Sequence, residues 1–276
     1  MSEFVVPATG GPLSRLGWAI RDAWSVAGRE FSQLRHQPGE LVAALVFPAI
    51  MVVLFGYVFG SAIAVPGGGN YREYLMPGLF AMTAITGVMT SALTISKDIH
   101  EGVMDRFRSM PMARSAIASG RTVADVLIAA VGVVIMAGIG LLVGWRAHHG
   151  IGPTLAGFAL ILLVRFAVSW IGVFAGLSVK PETADALVPI VFPISILSNS
   201  FVPTEGMPAW LRTLADWNPI SALVAATRDL FGNPTVAATH QAWPLQHPLT
   251  ATLAWSAILL AVFVPLCTWR YQRASH

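Results

Sequence analysis

Six long, predominantly apolar runs divide this chain, with polar or charged stretches between them. They are "LVAALVFPAIMVVLFGYVFGSAIA" (41–64), "YLMPGLFAMTAITGVMTSALTIS" (74–96), "TVADVLIAAVGVVIMAGIGLLVG" (122–144), "PTLAGFALILLVRFAVSWIGVFAGLS" (153–178), "ALVPIVFPISILSNSFVP" (186–203) and "LTATLAWSAILLAVFVPLCTW" (249–269). Crossing about 30 Å of hydrocarbon takes about 20 helical residues, so the pattern predicts six membrane spans. The fifth is short, polar and interrupted by Pro189, Pro193 and Pro203. The runs are continuously apolar instead of alternating. Lipid forces each backbone group to pair within its own segment, so the spans are read as helices and not barrel strands.

Polar positions mark three further elements. Before the first run, Leu16, Ile20, Trp24, Ala27, Phe31 and Leu34 recur at steps of three and four. That stripe predicts an amphipathic helix within residues 1–40, ended by Pro38-Gly39, and lying in the membrane interface before the chain turns into 41–276. A soluble helix packed on a partner is the other reading. Between spans five and six, Pro208 and Asn218-Pro219 interrupt a helical pattern and predict two short helices, 208–216 and 219–231. These would dip into the opposite interface without crossing, with Trp210, Trp217 and Trp243 at headgroup level.

Composition agrees with a chain that has lipid as its solvent. Hydrophobic residues make up 55% and charged residues 11%, and mean hydropathy is +0.67, where soluble domains run near 25% charged. The basic pI of 9.4 does not imply nucleic acid in such a chain. Where the basic residues sit is more informative. Arg15, Arg21, Arg29, Arg35, Lys97, Arg106, Arg108, Arg114, Arg121, Lys180, Arg270 and Arg273 fall on one side; Arg72, Arg146, Arg212 and Arg228 fall on the other. The positive-inside rule then places both termini and the 97–121 loop in the cytoplasm. Residues 1–40 hold no apolar signal-peptide core, so insertion is expected to rely on the first span. The single Cys267 precludes an intrachain disulfide. His36, His100, His148, His149, His240, His247 and His276 have no metal-ligand spacing.

The stretch "KDIHEGVMDRFRSMPMARSAIASGR" gathers charges between spans two and three. A plain topology signal, an anionic-lipid contact and a protein-docking surface are the three readings. The order of residues favours docking. Val103, Met104, Phe107 and Met110 recur among Asp105, Arg106 and Arg108 as a short amphipathic helix ended by Pro111. Apolar Phe and Met flanked by Arg are types that protein interfaces enrich.

"EGVMDRFRSMPMARSAIASGR" and "FVPTEGMPAWLRTLADWNPISALVAATRDLF" together resemble the permease subunit of ABC-2 type exporters, in particular the daunorubicin-resistance permease family. The resemblance covers nearly the whole chain. It implies an all-α integral membrane protein, with six transmembrane helices, an N-terminal interfacial helix and re-entrant helices between spans five and six. It also implies a multi-pass protein of a bacterial plasma membrane that exports a hydrophobic or amphipathic molecule. No G-x-x-x-x-G-K-[ST] loop is present. On the resemblance, ATP and Mg²⁺ would be bound by a separate ATPase subunit, in two copies. The second membrane half would be another copy of this chain or a related permease. Glu101, Asp105, Arg106, Phe107, Arg108, Met110 and Pro111 would form the lever on which the ATPase pushes. Lys180 and Glu182, in "VKPETAD", would add a smaller contact, or belong to a plain connector.

Inside the spans, Arg165 is the one deeply placed cation. A charge at a helix centre costs about 2.5–3.5 kcal/mol on insertion scales, so it should face protein or water. It either lines a substrate path or subunit seam, paired with an anion, or bonds helix carbonyls. Asp125 reads as a carboxylate near the start of its helix. Ser195, Ser198, Asn199 and Ser200 suggest a kinked, partly wet fifth span on the substrate route, or ordinary interhelical hydrogen bonding. Gly132, Gly138 and Gly140 suggest close helix packing. A secondary carrier is the alternative function, and it would need ion-coupling carboxylates that the spans nearly lack. Neither paired carboxylates nor a nucleophile constellation points to an enzyme.

Overall fold

The computed structural model describes residues 46, 49–60, 65, 69–100, 114–179, 183, 193–235 and 242–273. The expected N-terminal helix, the lever residues Glu101–Pro111, Lys180 and Glu182, and the first half of span five lie outside these residues. All described regular structure is helical. The elements in chain order are α1 (Ala49–Val58), α2 (Tyr71–His100), α3 (Arg114–Val143), α4 (Ile151–Gly176), α5 (Ala209–Asp216), α6 (Pro219–Phe231), α7 (Trp243–Gln246) and α8 (Pro248–Arg273). The end of α1 widens into a π-helical turn over Leu54–Phe59.

Four of these helices, α2, α3, α4 and α8, are long and apolar enough to cross a membrane. They correspond to the second, third, fourth and sixth sequence runs. The helices overrun the apolar runs, most at the start of α3, because charged residues continue a helix readily once it leaves the lipid.

The bundle has an inner and an outer layer. Burial reaches 61% and 50% of the most apolar stretches of α2 and α4, against 22% and 17% for α3 and α8. The inner pair is parallel and close. A Cβ on Gly172 or Gly176 would run into the carbonyl oxygens of Val88 and Ala92, so α4 meets α2 backbone to backbone. Small residues four apart permit such an approach, and in lipid, close van der Waals packing is a main source of helix association. The expectation that Gly132, Gly138 and Gly140 mark this packing needs correction. At Gly132 and Gly138 a Cβ would meet nothing within 4 Å, and only Gly140 lies against neighbours, chiefly Met76.

The main core joins α2, α4 and α6 through Tyr74, Leu75, Phe80, Ile161, Leu223 and Phe231. Phe80, Trp145, Phe158 and Phe231 stack edge-on or tilted with centroids 5.1–6.4 Å apart. A smaller cluster of Ile95, Trp170, Val173 and Cys267 packs α2, α4 and α8 nearer the basic ends of these helices. Outward faces remain apolar: Val134 is 70% and Leu142 88% exposed on α3. Surfaces of this kind suit lipid or another membrane chain.

Candidate functional site

Two polar clusters interrupt this apolar bundle, and each is organised by a buried arginine. The first lies among α2, α3 and α4. Arg165 projects from the middle of α4 over Gly87, where a Cβ would come within 2.7 Å of its Cδ. Its Nε and Nη2 donate to Asp125 Oδ2 and Oδ1 at 2.7 and 2.6 Å, a bidentate fork. Nη1 donates to the Thr83 carbonyl at 2.7 Å and Thr86 Oγ1 at 3.0 Å, and Nη2 also reaches Thr90 Oγ1 at 3.0 Å. A guanidinium has five N–H donors, and these five bonds engage them all. Asp125 is equally occupied, because Ser169 Oγ and Thr90 Oγ1 donate to its two oxygens at 2.8 and 3.1 Å. Thr83, Thr86 and Thr90 stand at steps of three and four, hence on one face of α2.

The end of the fifth apolar run builds the second cluster. A helical turn over 193–196 gives way to turns over 197–202. Buried non-helical backbone persists only where protein or water satisfies its polar groups. Here side chains from two other helices do so. Asn218 Nδ2 donates to the carbonyls of Ile194 and Leu197 at 2.9 and 2.6 Å. Tyr74 and Tyr71 hydroxyls donate to the carbonyls of Asn199 and Phe201 at 3.1 and 2.7 Å. Arg228, from α6, donates to the carbonyls of Asn199, Ser200 and Tyr74 at 2.9, 3.3 and 3.0 Å. Its guanidinium also lies 3.5 Å from the Tyr74 ring centroid, a cation–π contact.

Arg228 lies outside the four candidate spans and is 2% exposed. Burial pushes its pKa below the usual arginine range, and the neighbouring Tyr74 works against that. Gly78 of α2 lets the broken segment approach, since a Cβ there would sit 2.5 Å from the Ser200 oxygen.

Local sequence explains how α6 delivers Arg228. Asn218 caps the helix by accepting from Ile220 N at 3.0 Å, and Pro219 occupies its first turn. At the other end Gly232 takes a left-handed φ of 69°, and Asn233 N returns to the Arg228 carbonyl at 2.9 Å. Asn233 Oδ1 then accepts from Trp145 Nε1 at 2.7 Å, tying α6 to the α3–α4 turn.

The residues expected on a substrate path therefore separate. Arg165 belongs to the first cluster. Ser195, Ser198 and Asn199 belong to the second, where all three are buried. Ser198 Oγ donates to the Ser195 carbonyl at 2.6 Å, and Asn199 Nδ2 to the Ser221 carbonyl at 3.3 Å. Measured along α2 from Gly78 to Gly87, the clusters stand about 14 Å apart.

Sequence reading missed three participants. Asp125 is not at a helix start, because α3 begins eleven residues earlier at Arg114. Its signal was an acid in an otherwise uncharged run that could answer Arg165. Arg228 counted only as a loop cation, and Tyr74 only as an apolar-span residue.

Comparison with known proteins matches the profile of the ABC-2 type transporter family to residues 21–231. The daunorubicin resistance ABC transporter permease protein DrrB1 of Streptomyces coeruleorubidus is 32% identical over 248 residues, covering 88% of this chain and 83% of that protein. The "Probable doxorubicin resistance ABC transporter permease protein DrrC" of Mycobacterium tuberculosis H37Rv is 24% identical over 238 residues, covering 85% and 82%. The "Probable multidrug ABC transporter permease YbhR" of Escherichia coli K12 is 24% identical over 167 residues, covering 59% and 44%. With the family profile running from residue 21 through both polar clusters to the end of α6, and a relative aligned across most of both sequences, the chain belongs to the ABC-2 type transporter membrane family.

Proposed function

We propose that this chain is the permease subunit of an ATP-driven exporter, moving a hydrophobic or amphipathic molecule outward under the power of a separate ATPase. The observation that carries this reading is the alignment to drug-resistance permeases over more than four fifths of both partners. Two ATPase subunits and a second membrane half, identical or related, complete the transporter. The lever, Glu101, Asp105, Arg106, Phe107, Arg108, Met110 and Pro111, joins α2, which runs to His100, to α3, which starts at Arg114. A push there reaches both helices at once. Lys180 and Glu182 add the second contact, after α4.

Six spans, cytoplasmic termini and interface-seated α5 and α6 complete the topology. Trp210, Trp217 and Trp243, all more than half exposed, support that seating for the α5–α7 region. Asp125 is the carboxylate that a secondary carrier could use. Both its oxygens are engaged by Arg165, Thr90 and Ser169, which speaks against ion coupling there.

The test is co-purification from native membranes, then transport in proteoliposomes containing the chain and its co-purified ATPase. An anthracycline is the first substrate to try, because two relatives carry resistance to such drugs in their names. ATP-dependent accumulation that vanadate inhibition of the ATPase abolishes supports the reading. Transport by the chain alone, driven by an ion gradient and indifferent to ATP, overturns it.

A further inference from the structure

We propose that Asp125 and Arg165 are positioning residues that carry the movement of α3 into the α2–α4 pair, so that the ion pair sets how much transport each ATP yields. The inference rests on the exporter reading and deepens it.

Three observations point the same way. First, the pair is closed. Every N–H of Arg165 and both oxygens of Asp125 are bonded within the chain. Nothing is left over to bind an anionic or cationic substrate, so the pair's work is to hold helices together.

Second, it sits where α3 is otherwise weakly held. Val133, Met136 and Gly140 anchor the later half of α3. Between Thr122 and Val133, none of the described residues reaches full burial. Beyond the buried Thr122, the Asp125 fork is therefore the strong attachment of α3 among the described residues up to Val133. In contrast, α2 and α4 are joined backbone to backbone at Gly172 and Gly176, as one closely packed pair.

Third, the cluster is open on one side. Thr86 and Thr90 are exposed although they bond the buried guanidinium. Arg165 can exchange one hydroxyl for another, or for water, without leaving Asp125. A packed apolar contact would have to be lost before it could be remade. A charged fork with replaceable hydroxyl partners stays attached while α3 tilts.

The experiment uses the reconstituted transporter, permease with its ATPase, and reads substrate moved per ATP hydrolysed. Wild-type protein with and without ATP is measured first; absence of ATP-dependent transport there strikes the exporter reading itself, not this inference. Given an active wild type, D125N and R165M should lower the ratio about tenfold while basal ATP hydrolysis persists, the size that residues coupling distant sites can reach. The charge swap D125R/R165D should restore most of it. T90V, which keeps both charges and removes one hydroxyl partner, should lower the ratio about twofold to fivefold.

Wild-type ratios in D125N, R165M and T90V overturn the proposal. So does a loss of assembly and thermal stability in the single variants with T90V at the wild-type ratio, because the pair would then be scaffolding only. If the single variants fail to assemble and T90V lowers the ratio with its stability unchanged, the proposal stands.

Discussion

Arg165 and Arg228 are both almost wholly buried, and they are stabilised by opposite means. Arg165 faces a carboxylate and spends its remaining donors on α2 hydroxyls and a carbonyl. Arg228 touches no acid among its bonded partners; three carbonyl oxygens and an aromatic face surround it. The difference follows from what each environment lacked. Around Arg165 the helices are intact and their carbonyls mostly engaged, so a charge needs a counter-charge. Around Arg228 the turns over 197–202 leave the Asn199 and Ser200 carbonyls outside any helix, and a cation with several donors helps satisfy them. One arginine pins helices together through charge, and the other makes an irregular backbone tolerable.

That contrast can be broken experimentally, with thermal unfolding of the detergent-solubilised protein as the measure. R165M should cost most, about 3–5 kcal/mol, because it takes the counter-charge from Asp125, whose side chain is only 15% exposed. The double variant R165M/D125L should recover much of that loss, since no charge remains to desolvate. R228M should cost less, about 2–4 kcal/mol from carbonyls left unsatisfied, and no second substitution should rescue it by removing a partner charge. Rescue of R228M by an acid-to-leucine change would show that the two sites are alike after all.

Smaller effects test the supports. G78A should cost about 1–3 kcal/mol, since its methyl meets the Ser200 oxygen and the broken segment must shift. Asn218→Ala removes an N-cap and two carbonyl partners, and about 1–2 kcal/mol is expected. Y71F, which loses one bond to the Phe201 carbonyl, should cost about 1 kcal/mol. An N218A loss well above that of R228M would move the centre of the second cluster from the arginine to its cap.

Legibility varied by element for physical reasons. Helices 208–216 and 219–231 were readable because Pro208 and Asn218-Pro219 announce helix starts locally, and the structure has them at Ala209–Asp216 and Pro219–Phe231. The irregular backbone over 197–202 was readable from the serines and Pro203 at the end of the fifth run, which disfavour a continued helix. Asp125 was misplaced because the charged residues before it looked like the end of a loop, whereas α3 runs through them from Arg114. The packing glycines were misassigned for a related reason. Gly132, Gly138 and Gly172 look alike as letters, and only the presence or absence of an opposing backbone distinguishes them.

The sequence by itself determined the class of protein, its four long apolar helices and where along the chain its short helices fall. Those properties rest on local quantities: the length of an apolar run against the thickness of lipid, and the backbone preferences of Pro, Asn and Gly. Only the tertiary structure decided what answers each buried cation. Arg165 meets Asp125 across 40 residues of chain, and Arg228 meets Tyr74 across 154. No periodicity spans such separations. Which donor finds which acceptor depends on the depth and rotation of helices packed against one another, and the Gly172–Gly176 contact with α2 sets both for the helix that carries Arg165.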